Sequence, residues 1–298
     1  MKETNVKFIK AGFELAATRN ASAVLLYIDP LEKTVFDEKW DYNFKLYLIT
    51  KRKKLDTTEK HRKTIFERAT DIITIPKIPV SRTSLAKLAL VLGISNEKIK
   101  YGDTVVCILG AFDSALLDTI LCINTGVETE LISGKLALGN ICEGISPAVF
   151  QAVLNLCIEL AEKGREGKPI GTIFVVGDED KVLGLSKQMI YNPFKGYTEE
   201  ERNILNAQMK ETLREFSTLD GAFIISSDGA VITGGRFLSA AADVTKSKYR
   251  FGSRHLAAAG ITALTKAIAF VISESTGDVR IFKNGDLIME FEKSTKRR

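Results

Sequence analysis

The sequence predicts an α/β protein in two domains: a mostly parallel α/β layer, then a mixed β-sheet flanked by helices. Three observations predict it. Over residues 1–125, short β-branched runs alternate with helical patterns, as strands buried on both faces do when helices separate them. Residues 126–145 are punctuated by Gly and Ser and break that rhythm, so they read as a linker. Over residues 146–298, turn signals at Asp228-Gly229, Thr276-Gly277 and Asn284-Gly285 separate apolar runs, which argues for hairpins. A chain of 298 residues is long for one core and comfortable for two.

Taken in order, Lys7 to Arg19 has helical periodicity, and Ala23 to Ile28 is a short apolar strand. Lys45 to Ile49 is the next strand, Thr58 to Arg68 a charged helix, and Asp71 to Ile75 a strand closed by Pro76 and Pro79. Ser84 to Leu92 reads as a helix ended by Gly93. Thr104 to Leu109 is a β-branched strand, followed by a turn from Gly110, a short helix from Ser114 to Asp118 and a strand from Thr119 to Asn124. In the second domain Pro147 starts a helix, where its fixed φ costs nothing, and Val149, Val153, Leu156 and Leu160 mark its buried stripe. Thr172 to Val176 is a strand; helices are expected near Asp180 to Ile190 and from Glu199 to Glu215. Phe223 to Ile225 and Ala230 to Ile232 form the first hairpin. A helix starts near Arg254, and strands follow at Phe270 to Ser273, Val279 to Phe282 and Leu287 to Phe291.

Composition narrows the function classes. The chain is 45% hydrophobic and 27% charged, within the range of globular proteins. Its four cysteines, Cys107, Cys122, Cys142 and Cys157, stand in apolar surroundings without a C-x-x-C pair, so they read as buried thiols. With only His61 and His255 to join them, a zinc site is not expected. The first residues lack the apolar core of a signal peptide, and no run approaches the ~18 apolar residues of a membrane span. A cytoplasmic protein without a membrane partner is therefore expected. The net charge of +5 is concentrated in Lys51-Arg52-Lys53-Lys54 and Lys296-Arg297-Arg298, too local for a nucleic-acid-binding face. No P-loop or kinase-type glycine loop is present to support a kinase.

Chemistry gathers in three segments. Leu219-Asp220-Gly221-Ala222 puts a carboxylate before a strand, beside a glycine that permits close backbone approach. Gly252-Ser253-Arg254-His255 precedes the apolar helical run Ala257 to Ile268. Ser253 is expected as N-cap, gathering Arg254, His255 and backbone N–H groups at a positive helix end suited to phosphate. Ser273-Glu274-Ser275-Thr276-Gly277 adds hydroxyls and a second carboxylate at a strand end. Each is ordinary alone: an Asp-Gly is commonly a turn, and a lone His at a helix start is commonly a surface residue. Together they supply acid, base and cation for a phosphate ligand.

These segments, with the upstream Gly164-Arg165-Glu166-Gly167-Lys168-Pro169, Phe174-Val175-Val176-Gly177-Asp178 and Asn192-Pro193-Phe194, resemble the diadenylate cyclase domain family, in order from Gly164 to Gly277. Tyr101-Gly102-Asp103-Thr104-Val105-Val106, continuing to Ile123-Asn124-Thr125-Gly126, resembles the C-terminal domain of pyruvate kinases. The combination is similar to the archaeal branch of the cyclases, with residues 1–125 regulatory or scaffolding and 146–298 the cyclase domain. One residue departs from the family's usual Arg-His-Arg: position 256 is Leu.

The resemblance implies that two ATP-loaded protomers face each other as a homo-oligomer and form cyclic di-AMP with loss of two pyrophosphates. It implies a divalent ion, Mn²⁺ or Mg²⁺, with Asp220, His255 and Glu274 as its candidate ligands. Asp220 would position or deprotonate the attacking hydroxyl; Ser253, Arg254 and His255 would grip phosphates. Ser273 would contact phosphate or ribose, and Gly221 and Leu238 would contact the base and ribose. The alternative is a nucleotide sensor without catalysis on the same domain.

Overall fold

The computed structural model describes residues 2–31, 42–52, 68–77, 79–111, 114–127, 142–164, 170–239 and 252–292. The chain divides into two compact units, Met1–Lys135 and Leu136–Arg298. All but Arg68 of the helix expected at Thr58 to Arg68, the turn residues Phe112 and Asp113, and most of the expected linker lie outside the described residues.

The first unit is built on a five-stranded sheet of order β3-β2-β1-β4-β5, with β1 Ala23–Tyr27, β2 Lys45–Thr50, β3 Asp71–Thr74, β4 Thr104–Gly110 and β5 Leu117–Asn124. β1 pairs in parallel with β2 and β4, β2 in parallel with β3, and only β5 runs antiparallel. The expected mostly parallel layer is therefore what forms. Helix α1, Lys2–Thr18, lays Ile9, Phe13 and Ala16 on Val24, Leu26, Val106 and Ile108. Phe13 also meets Tyr42 and Phe44 edge-on, at 4.9 and 5.1 Å.

Two local expectations fail here. Helix α2 runs Arg82–Ser95, starting two residues early because the Ser81 hydroxyl accepts the Ser84 N–H at 3.1 Å. It passes through Gly93, which is there for packing: a Cβ would stand 2.6 Å from Ile99 Cδ1. The helix ends instead at Asn96 and at Glu97, whose φ is 57°. The short helix expected from Ser114 is a turn, with the Ser114 hydroxyl accepting the Leu116 N–H at 3.0 Å before β5 begins. The thiols are not uniformly buried either. Cys107 and Cys157 are, whereas Cys142 is half-buried and Cys122 is exposed on the edge strand.

The second unit holds a seven-stranded mixed sheet of order β12-β11-β10-β6-β8-β9-β7. Its strands are β6 Thr172–Val176, β7 Ser186–Gln188, β8 Ala222–Ile225, β9 Val231–Leu238, β10 Ile268–Ile272, β11 Val279–Lys283 and β12 Asp286–Phe291. The three expected hairpins form, and β6 with β8 is the one parallel pair. One face packs Ile173, Val175, Ile224 and Ala269 against Ala258 and Ile261 of helix α6, Ser253–Leu264. The other carries Phe174, Phe223 and Phe270, with Phe150 of helix α3, Pro147–Lys163, 5.3 Å from Phe270. Alternation along the strands makes both faces apolar and both covered.

The other two helices are shorter than the periodicity suggested. Helix α4 spans only Glu179–Gly184, since the Ser186 hydroxyl turns back to the Val182 carbonyl at 2.7 Å and Ser186–Gln188 pair with β9. Helix α5 spans Ala207–Phe216 and starts where the Asn206 side chain accepts the Gln208 N–H. Residues upstream of it are tied to the β8–β9 hairpin by Ile204 N–H to Gly229 O and Val231 N–H to Arg202 O, both 2.8 Å. Those tertiary bonds override a helical pattern. No helix among the described residues is long and apolar enough to cross a membrane.

Candidate active site

Strand register brings distant segments to one rim of the seven-stranded sheet. Ile272 stands opposite Thr172, and Ile173 opposite Ala222. The end of β10 and the starts of β6 and β8 therefore meet, which places Ser273-Glu274, Gly171 and Asp220-Gly221 along one edge. Helix α6 begins beside the end of β10. The two elements line a pocket of about 390 Å³ with Gly252, Ser253, Arg254 and His255 from the helix, and Ile272, Ser273, Glu274 and Ser275 from the strand end.

The helix start differs from expectation in one detail. Gly252 is the N-cap and Ser253 the first helical residue, so the N-cap has no side chain to bond the first turn. A glycine N-cap leaves the partial positive charge of the first turn beside the pocket. Arg254 follows, with Nη1 2.9 Å from Glu274 Oε2. Its side chain is 36% exposed and that of Glu274 61%, so this cation stays within reach of a ligand. The guanidinium lies across Gly171, where a Cβ would stand 2.8 Å from Arg254 Nη1 and 2.8 Å from Glu274 Cβ. Gly171 was not singled out in the sequence; a small residue just ahead of an apolar strand was its one visible trace.

His255 is 6% exposed. Its Nε2 is 3.0 Å from Arg280 Nη1, on β11, and Arg280 in turn donates from Nε to Glu290 Oε1 at 2.6 Å. Burial, followed by the positive charges of Arg280 and Arg254, pushes the imidazole down to about 4, with Asp278 opposing. The unfolded chain is then the better proton binder between pH 6.5 and about 4. This group leaves stability unchanged above that window and removes it as the pH falls through it. The cost is about 3 kcal/mol below pH 4, from ~1.4 kcal/mol per pH unit. Denaturant titrations at pH 7 and pH 4.5 should show that fall in the native protein and a smaller one in His255→Gln.

The remaining candidates divide. Ser273 is buried in the lining, its Oγ 3.3 Å from Ser275 Oγ. Asp220 is exposed on the same rim but outside that lining, with Oδ1 accepting the N–H of Gly221 at 3.1 Å. Gly221 has φ 99°, and a Cβ there would lie 2.7 Å from the Arg236 nitrogen, so only glycine fits. Leu238 is 5% exposed and packs with Val182 and Ala222 in the apolar cluster under α6. Asp178 and Asn192 support the scaffold: Asp178 Oδ2 accepts the Lys266 N–H, and the Asn192 amide donates to Ile232 O. Arg165 to Pro169 lie outside the described residues. Among the described residues, no three His, Cys, Asp or Glu side chains converge on a common point.

Known proteins share both halves of the chain. Residues 159–287 match the family described as DisA bacterial checkpoint controller nucleotide-binding, and residues 6–132 match one described as probable sensor domain DacZ_P. A diadenylate cyclase from Methanocaldococcus jannaschii is 35% identical over 70% of this chain and 67% of its own length. One from Haloferax volcanii is 37% identical over 65% of this chain and 70% of its own. The cyclic di-AMP synthase CdaA of Bacillus subtilis is 41% identical over 21% of the chain and 25% of its own length.

Proposed function

Because the chain belongs to the diadenylate cyclase family, we propose that it condenses two molecules of ATP into cyclic di-3′,5′-AMP. The observation that carries this reading is the rim itself, where Asp220, the glycine-capped start of α6, Arg254 and Glu274 lie on one sheet edge. Each turnover forms two bonds between a 3′-oxygen and an α-phosphorus, breaks two bonds to pyrophosphate, and releases two hydroxyl protons. Such a transfer rests on positioning and on charge stabilisation more than on covalent help.

Arg254 and the first turn of α6 bind the phosphates, and Ser273 adds a hydroxyl contact. Asp220, on the same rim, is given the role of orienting the attacking 3′-hydroxyl and taking its proton. Gly221 lets the nucleotide approach the backbone. One pocket holds one nucleotide, so two copies facing each other complete the reaction. In this reading residues 146–298 carry the chemistry and residues 1–125 regulate it.

The donor set fits a divalent ion that arrives with the triphosphate. Mg²⁺ and ions like it are commonly held by one or two carboxylates together with phosphate oxygens. Asp220 and Glu274 supply such carboxylates, whereas the His255 Nε2 already faces a guanidinium. When bound, the ion neutralises charge on the phosphate oxygens. Mn²⁺ or Mg²⁺ suits these hard oxygen ligands.

Incubation of the full chain with ATP and Mn²⁺, followed by mass spectrometry, tests the proposal. The expected product is cyclic di-AMP with two pyrophosphates per molecule. Bound ATP without pyrophosphate release would leave a nucleotide sensor instead.

A further inference from the structure

Strand β5 closes one side of the five-stranded sheet, and among the described residues no strand pairs with its outer edge. The hydrogen-bond phase says which backbone groups stand there. Thr125 N–H donates to Asp103 O at 2.9 Å, so the residues in step with it, Ile123 and Leu121, turn their N–H and C=O toward β4. Thr104, opposite Asn124, turns its carbonyl the other way, to the Ser22 N–H at 2.8 Å. The alternate set, Ile120, Cys122 and Asn124, therefore presents its N–H and C=O groups outward. Edges of this kind are commonly blunted by a charge, a proline or a bulge. From Thr119 to Thr125 this one reads Thr-Ile-Leu-Cys-Ile-Asn-Thr, and its register shift lies ahead of that stretch, opposite Leu109 and Gly110. Ile120 and Leu121 are half-buried and Cys122 is exposed.

We propose that the outer edge of β5 pairs with β5 of a second copy of this chain, antiparallel about a two-fold axis at Cys122. In that register Cys122 stands opposite the partner's Cys122 and Ile120 opposite the partner's Asn124, which makes about six backbone hydrogen bonds. The closer positions between them set Leu121 on the partner's Ile123, covering apolar surface that one copy leaves half open. No like charges meet: Asp118, the charged residue of the strand, lies beyond the paired stretch and is held by Arg82. A self-complementary contact of this kind closes at two copies, and the two five-stranded sheets become one. It engages the first unit alone and does not rest on the cyclase reading.

Residues opposed in a hydrogen-bonded pair have Cα atoms about 5.5 Å apart, within reach of a disulfide. Mild oxidation of the full chain with diamide should therefore give a reducible dimer, with peptide mass spectrometry joining Cys122 to Cys122. In a Cys122→Ser background, Leu121→Cys faces isoleucine across the axis and should stay uncross-linked. No link at Cys122, or one as efficient at position 121, overturns the proposal. Cys122→Lys, checked for folding by circular dichroism, sets two like charges face to face on the axis. The side chain at this position is exposed, so the fold should hold while sedimentation shows the mass of the assembly halved. That halving is expected whether or not the second unit also pairs, so this proposal and the cyclase reading fail separately. A native chain that sediments as a monomer, or an assembly that a folded Cys122→Lys leaves whole, sinks the idea. Should the lysine variant fail to fold, the cross-link in the native chain still decides.

Discussion

Replacement of Arg254 by alanine should lower kcat/KM for ATP by about 10²- to 10³-fold, the usual loss when one preorganised donor to a reacting phosphate or oxyanion is removed. Two effects act in the same direction. The phosphates lose their direct cation, and Glu274, now 2.9 Å from Arg254 Nη1, is left as an uncompensated negative charge beside them. Binding and turnover should therefore fall together, in calorimetric titration with ATP and in steady-state pyrophosphate release. Stability should hardly move, because an ion pair this exposed contributes about 0–1 kcal/mol. Titrated without a divalent ion, the double variant Arg254→Ala/Glu274→Gln should recover part of the affinity, since it removes the repulsion that the single variant creates. Unchanged ATP affinity in Arg254→Ala would remove the residue from the phosphate site.

Asp220→Asn separates chemistry from binding. Asparagine keeps the shape and an oxygen that can accept the Gly221 N–H, now made by Asp220 Oδ1 at 3.1 Å. It loses the basic carboxylate. Loss of a positioned general base costs about 10²- to 10⁴-fold in rate, and loss of a carboxylate that helps hold a divalent ion adds to that. ATP affinity should stay within a few-fold of the native value, since binding rests on Arg254 and the helix end. Product formation at the native rate would show that Asp220 is assigned wrongly. Gly221→Ala is a poor substitute for this experiment, because its effect would come from backbone strain at φ 99°.

Much of this architecture was legible in local chemistry. Asp228-Gly229 and Asn284-Gly285 announce turns by residue type, and both hairpins form. Pro147 marks the start of α3 by its missing donor. What failed was decided by contacts between residues far apart in sequence. Gly93 reads as a helix end until Ile99 is seen packed against it. Glu199 to Leu205 read as helix until their backbone groups are found bonded to the β8–β9 hairpin. The same limit applies to the site. Asp220, Arg254 and Glu274 stand out because their residue types are unusual before a strand or at a helix start. Gly171 and Arg280 do not, because a glycine before a strand and an arginine within one are commonplace. Their importance depends on which side chain the fold lays across them.

The order of strands also sets when this protein can work. β10, which ends in Ser273-Glu274, and β11, which carries Arg280, are made after β6, β7, β8 and β9, yet β10 takes its place beside β6 in the interior of the sheet. A nascent chain that has already folded α3, β6 and the β8–β9 hairpin still lacks one wall of the pocket beside α6. The missing wall arrives only when the closing meander, out to Glu290, leaves the ribosome and inserts along the waiting edge of β6. Until then the pocket beside Arg254 has only its helical wall, so whatever it binds must wait for that meander to dock.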